Sequence, residues 1–68
     1  MTTIGEKIRA ARVAAGMTQK QLGIAIGLNE SSAERHIQKW ENGVVQPSLQ
    51  YLRPLANALK VSLDYLVP

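Results

Sequence analysis

The sequence predicts an all-α fold, a compact bundle of five short helices. Apolar residues recur every three or four positions along five successive segments, and a residue able to cap a helix precedes each segment. Glycine follows the first three segments, where it can end a helix in the left-handed conformation. Because no strand-type alternation accompanies these signals and the chain has 68 residues, we expect residues 1–68 to form one domain.

Capping boxes mark the beginnings of the first and second helices. Thr3 precedes Glu6, and Thr18 precedes Gln21, at the three-residue spacing that lets each side chain bind a backbone N–H group of the other residue. The apolar spacing then predicts which residues each helix buries. These are Ile4, Ile8, Ala11 and Ala15 in the first helix, and Leu22 and Ile26 in the second.

The third helix has two candidate starting points. Asn29 and Ser31 can both cap a helix, and Ser31 has Glu34 at capping-box spacing, but we favour Asn29. Gly43 is the predicted end of this helix. Its apolar stripe, at helical spacing, consists of Ala33, Ile37 and Trp40.

The fourth and fifth helices follow a loop at residues 44–47. Ser48 caps the fourth helix and Ser62 caps a short final helix. Pro54 lies inside the fourth helix, where we expect a bend rather than a break, because the apolar spacing continues past it. The predicted buried face of the fourth helix is Leu49, Leu52, Leu55, Ala56 and Leu59, and the final helix contains Leu63, Leu66 and Val67.

The composition argues against an enzyme or a metal protein. Without cysteine there is no disulfide or thiolate site, and a lone histidine, His36, cannot form a metal-binding cluster. Glu30 and Glu34 lie one turn apart, yet no predicted pocket surrounds them to tune their acidity for catalysis. We therefore expect neither catalysis nor a bound cofactor or metal.

The charge and hydropathy patterns suggest where the protein works. A formal charge of +3 and a pI near 9.7 favour a polyanionic partner, although a solvated basic surface is the alternative interpretation. No apolar run approaches the roughly 20 residues of a membrane span, and the first residues lack the layout of a signal peptide. We expect a cytoplasmic protein that does not interact with membranes.

Several segments together resemble a known family. They are Ile8-Arg9-Ala10-Ala11-Arg12, Gly16-Met17-Thr18-Gln19-Lys20-Gln21-Leu22, Trp40-Glu41-Asn42-Gly43, Pro47-Ser48-Leu49, and Leu55-Ala56-Asn57-Ala58-Leu59-Lys60-Val61-Ser62-Leu63-Asp64-Tyr65-Leu66. Their order and spacing are similar to those of the lambda-repressor and Cro type of helix-turn-helix protein, the XRE family. The resemblance implies a lambda-repressor-like bundle that binds double-stranded DNA as a bacterial or phage-encoded transcription regulator, most simply a repressor.

Three features depart from the usual pattern of this family. The distance from Gly27 to Trp40 is about one helical turn longer than is typical, which predicts an extended recognition helix. Gly23 stands where the family usually has alanine. Lys60 stands where glycine often ends the fourth helix, so we expect mild strain in that turn.

The third helix presents a polar side opposite its apolar stripe. At about 100° per residue, Ser31, Arg35, Gln38 and Asn42 point outward, with Glu34 and Lys39 beside them. Arg35 can donate two hydrogen bonds to guanine, and Gln38 can pair with adenine. Lys39 can reach a guanine or a phosphate, and Glu34 can accept from cytosine or repel the DNA backbone. An ordinary solvated face is the alternative.

The resemblance also implies roles outside that helix. Gln19 is expected to grip a phosphate at the beginning of the second helix and to brace the recognition helix, aided by the positive helix N-terminus. Lys20 and the turn at Asn42 are expected to contact the DNA backbone. Arg12 and Glu41 are expected to form a structural ion pair, which as a partly exposed pair would contribute about 0–1 kcal/mol.

The expected partners are an operator DNA and a second copy of the chain. A single module offers little contact area, so we expect a homodimer on a palindromic operator, with no small-molecule ligand. The predicted dimer surface comprises Leu63, Tyr65 and Val67. Two alternatives remain: an antitoxin or restriction-controller protein with a protein partner, and a helical protein-interaction module that does not bind DNA.

Overall fold

The computed structural model describes residues 3–67, and over these residues it contains five α-helices and no strand. They are α1 (Ile4–Ala14), α2 (Gln19–Ala25), α3 (Ala33–Glu41), α4 (Leu49–Leu59) and α5 (Leu63–Leu66). The predicted all-α class and the number of helices are confirmed. In this part of the chain, no helix is long and apolar enough to cross a membrane.

The core draws on all five helices. Each helix contributes one large, fully buried aliphatic side chain, and these are Ile8, Leu22, Ile37, Leu55 and Leu66. Trp40 is 4% exposed and its ring centroid lies 5.4 Å from that of Tyr51, so its predicted place in the core is confirmed. Because the core needs a residue from every helix, no single helix can leave the bundle without exposing the others.

The predicted capping boxes fix the beginnings of α1 and α2. The Thr3 hydroxyl accepts from the backbone N–H of Glu6 at 3.1 Å, and the Glu6 carboxylate accepts from the backbone N–H of Thr3 at 3.3 Å. The corresponding distances between Thr18 and Gln21 are 3.0 Å and 2.8 Å. These bonds satisfy N–H groups that a helix start otherwise leaves without partners.

The predicted extension of the third helix is wrong. We expected α3 to begin near Asn29 or Ser31, but it begins at Ala33, and residues 29–32 form a turn closed by a 3.0 Å bond from the Ser32 N–H to the Asn29 carbonyl. Ser32 has φ −125° and ψ −2°, outside the helical region. Asn and Ser side chains stabilise turns as readily as helix caps, and here the turn prevails.

Helix α4 continues through Pro54, as expected, without a break. Lys60 ends it with φ 59° and ψ 41°, so the predicted strain of a side chain in the left-handed region is present. The assignment of Leu49 to the buried face is wrong, because this first residue of α4 is 86% exposed, beyond the cover of the other described helices. Ala15 of the predicted α1 face is likewise exposed.

Helices α2 and α3 pack closely at one glycine. A Cβ added to Gly23 would lie 2.5 Å from the Cβ of Ala33 and 2.7 Å from its carbonyl oxygen, too close for an unshifted backbone. Ala33 is itself fully buried. The glycine therefore permits the close approach that sets the position of α3 against α2.

Candidate nucleic-acid interface

Helix α3 has one buried side and one exposed side. The buried side consists of Ala33, Ile37, Trp40 and Glu41. The exposed side consists of Glu34, Arg35, His36, Gln38 and Lys39, and Asn42 is exposed directly after the helix. All of these except His36 are predicted contact residues. The helix is thus a polar ridge anchored by the core beneath it.

A shallow polar depression of about 330 Å³ lies beside this ridge. Its lining residues are Lys20 of α2, Glu30 and Ser31 of the turn, and Glu34, Arg35 and Gln38 of α3. Five predicted contact residues therefore come together, whereas Lys39 is exposed elsewhere on the helix and Asn42 directly after it. Ser31 reaches the depression from the turn, so its predicted outward position on the helix itself is wrong.

Glu30 also lies at this surface, although its sequence position did not predict it. Its carboxylate lies 3.3 Å from the Lys20 ammonium, and the two side chains are 76% and 48% exposed. With Glu34 and Arg35, the lining carries two positive and two negative side chains, although the whole chain is +3. The only signal of this turn in the sequence was the lengthened segment before Trp40. Helical spacing cannot predict the contact between Lys20 and Glu30, because a turn creates it.

The ion pair between Arg12 and Glu41 is present and more buried than expected. Arg12 Nε lies 2.6 Å from Glu41 Oε2, and Nη2 lies 3.2 Å from Oε1. The two side chains are 14% and 2% exposed. Arg12 Nη1 also donates to the Met17 carbonyl at 2.9 Å, so one guanidinium connects α1, the segment before α2 and the end of α3.

Gln19 joins the same network. Its side-chain Nε2 donates to Glu41 Oε1 at 3.1 Å, so the carboxylate fixes which end of the amide points inward. The predicted bracing contact with α3 is therefore made at the C-terminal end of that helix. One of the two Nε2 hydrogens remains for another acceptor. No local pattern marks this contact, which joins residues 22 positions apart, and only the family resemblance suggested it.

Several large apolar side chains are exposed outside the lining of the depression. Leu63, Tyr65 and Val67, the predicted dimer surface, are each about two-fifths exposed, and the Lys7 ammonium lies 5.8 Å from the centroid of the Tyr65 ring. Val44, Val45 and Leu49 form a second exposed set in and after the loop that follows α3. No exposed role was predicted for this second set, since Leu49 was expected in the buried face of the fourth helix.

Comparisons with known proteins agree with this geometry. A family model described as helix-turn-helix matches residues 8–66. The chain is similar to the P22 c2 repressor protein, solved in complex with synthetic operator 9T in the presence of Tl+, with 33% identity, a TM-score of 0.83, and coverage of 97% of this chain and 94% of that one. Among curated proteins, none matches this chain significantly. The chain therefore belongs to the helix-turn-helix family of the Cro/C1 type, the XRE family.

Proposed function

We propose that this protein is a sequence-specific, double-stranded DNA-binding transcription regulator that acts as a repressor, with residues 1–68 as its DNA-binding domain. The family and the similarity to a repressor solved with operator DNA support a DNA-binding regulator. The proposal that α3 reads the DNA sequence rests on its exposed polar side, which is anchored on the buried Ala33, Ile37 and Trp40. The protein works by binding in the cytoplasm of a bacterium, without catalysis or a cofactor.

In the proposed complex, α3 enters the major groove and α2 crosses the DNA backbone. Arg35 donates to guanine O6 and N7, and Gln38 pairs with the N6 and N7 edge of adenine. Glu34 accepts from cytosine N4, and Ser31 contacts a base edge from the turn. These four residues read the sequence because they lie at the depression and on the ridge above it.

The remaining contacts position the protein on the DNA. Lys20, Lys39 and the turn at Asn42 bind phosphates, which fix the register without reading bases. Gln19 donates its second Nε2 hydrogen to a phosphate while the first stays on Glu41. The buried Arg12–Glu41 pair holds α1 and α3 together, so α3 keeps a fixed orientation relative to the phosphate that Gln19 binds.

Two copies bind a palindromic operator in this proposal. A symmetric dimer places its two α3 helices about 34–36 Å apart, in successive major grooves on one side of the duplex. The contact between copies runs through Leu63, Tyr65 and Val67, whose exposed apolar area is available for it. In this proposal, control rests on concentration, because the pool of dimers sets operator occupancy.

Selection of bound duplexes from a random pool tests the function. We expect a palindromic consensus whose half-sites lie about 10 base pairs apart, with affinity that falls steeply as salt rises. Absence of binding to any duplex at low salt, where phosphate contacts are strongest, contradicts the proposal and favours the protein-interaction module. Co-purification of a protein partner with intact DNA binding favours the antitoxin or restriction-controller role.

The Arg35→Ala variant tests the reading residue. Loss of a bidentate contact weakens binding to the selected duplex by about 1–3 kcal/mol and relaxes the preference at one base pair of each half-site. Arg9→Ala is the matched control, because Arg9 is exposed on α1 and does not line the depression. Its substitution removes the same charge as Arg35→Ala. A repeated selection reads out both variants. An unchanged consensus for Arg35→Ala contradicts its role.

A further inference from the structure

The turn at residues 29–32 places a carboxylate at the edge of the DNA-facing surface. The turn is closed by the bond between Ser32 and Asn29, and Glu30 lies on it with a 76% exposed side chain. Had α3 begun at Asn29, Glu30 would belong to its first turn. As a turn residue it meets Lys20 of α2 across the depression, at 3.3 Å between carboxylate and ammonium.

In this contact, Glu30 pairs with the Lys20 ammonium, which is the cation that α2 presents at the depression. Lys20 is half-exposed and is a proposed phosphate ligand, yet its nearest charged partner is Glu30. An exposed ion pair of this kind is weak and opens readily when another anion competes. A phosphate that approaches Lys20 must displace the carboxylate, and it is repelled by both Glu30 and Glu34 as it does so.

We propose that Glu30 is a specificity-determining residue that holds Lys20 and lowers the affinity for non-operator DNA. Non-specific binding depends almost wholly on phosphate contacts, so masking one cation weakens it directly. On the operator, base contacts of α3 fix the register and bring one phosphate to Lys20 at a defined position, where the exchange of partners is favoured. This inference rests on the proposed function and concerns its selectivity.

The test compares four proteins on two duplexes, the selected operator and an unrelated sequence, across a range of salt concentrations. They are the wild type, Glu30→Gln, Lys20→Met, and the double variant that combines these two changes. Asp64→Asn is the matched control, because Asp64 is exposed on α5 and its substitution changes the net charge equally. Gln keeps the size of the Glu30 side chain, and a melting curve for each variant verifies that it is folded.

We expect Glu30→Gln to raise affinity for the unrelated duplex about threefold to tenfold and to steepen the salt dependence by about 0.9, the value of one added phosphate contact. Operator affinity rises less, so the ratio of the two affinities falls. In the Lys20→Met background, most of this effect is lost. Asp64→Asn changes both affinities only slightly and equally.

Three results overturn the inference. A Glu30→Gln protein that behaves like Asp64→Asn shows that only net charge matters. A Glu30→Gln effect that persists undiminished in the Lys20→Met background shows that the carboxylate does not act through Lys20. Failure of the wild type to bind either duplex at low salt overturns the proposed function and this inference together, whereas the first two results leave the proposed function standing.

Discussion

Glu41 is the most buried charged side chain of the described residues, and three donors converge on it from Arg12 and Gln19. Removing Arg12 leaves this carboxylate buried without its counter-ion. We expect Arg12→Met, which keeps the alkyl stem, to lower the free energy of unfolding by about 2–4 kcal/mol rather than the 0–1 kcal/mol of an exposed pair. Urea unfolding monitored at Trp40 measures the change.

The exposed pair between Lys20 and Glu30 supplies the comparison for Arg12→Met. Lys20→Met also removes one cation from an ion pair, but both partners keep most of their hydration, so we expect at most about 0.5 kcal/mol of destabilisation. Equal losses in the two variants would mean that burial at Glu41 contributes nothing to the strength of its pair.

Lys60 adopts the left-handed conformation without being glycine. Glycine has no Cβ to crowd the neighbouring carbonyl, so Lys60→Gly should raise the free energy of unfolding by about 0.5–1 kcal/mol, after its larger unfolded-state entropy is counted. Lys60→Ala removes the charge but keeps the Cβ, and we expect little change. Thermal unfolding of the three proteins distinguishes backbone strain from charge, and a gain shared equally by both variants would point to charge.

At the scale of the elements, the packing of α2 on α3 depends on Gly23. Alanine has the better helix propensity by about 1 kcal/mol, but its Cβ would overlap Ala33. We expect Gly23→Ala to destabilise the protein by about 1–3 kcal/mol as the helices separate. Calorimetry measures the melting temperature. Adding Ala33→Gly removes one of the overlapping atoms and should restore part of the loss, whereas a stabilised Gly23→Ala protein would show that the helices adjust freely.

The helices themselves could be predicted because their signals are local. The capping boxes at Thr3 and Thr18 lie within four consecutive residues, and both are formed. The beginning of α3 could not be predicted, because Asn29 and Ser31 favour a helix cap and a turn alike. The choice between cap and turn depends on how Ala33 packs against Gly23. The exposure of Leu49 also depends on which helix ends lie nearby, and spacing along one helix does not contain that information.

The candidate site also combines features that the sequence predicts with contacts that it does not predict. The outward direction of Arg35 and Gln38 follows from one helix and its apolar stripe, and the structure places both at the depression. The Gln19 contact with Glu41 and the Lys20 contact with Glu30 each join two elements. Such contacts depend on the angle between helices, which one helix alone does not reveal. Only the family resemblance could suggest a bracing role for Gln19, and nothing in the sequence suggested the contact between Lys20 and Glu30.

At the scale of the whole molecule, two exposed apolar surfaces can be compared as contacts between copies: the proposed dimer surface, and the set Val44, Val45 and Leu49. We expect Leu63→Lys to abolish cooperative binding to the palindrome while leaving binding to an isolated half-site intact, because lysine cannot be buried against a second copy. Sedimentation of the protein with each duplex gives the stoichiometry. Leu49→Lys is the matched control on the second surface, and we expect two copies per palindrome to persist. The reverse outcome, with Leu49→Lys losing cooperativity, would move the contact between copies to Val44, Val45 and Leu49.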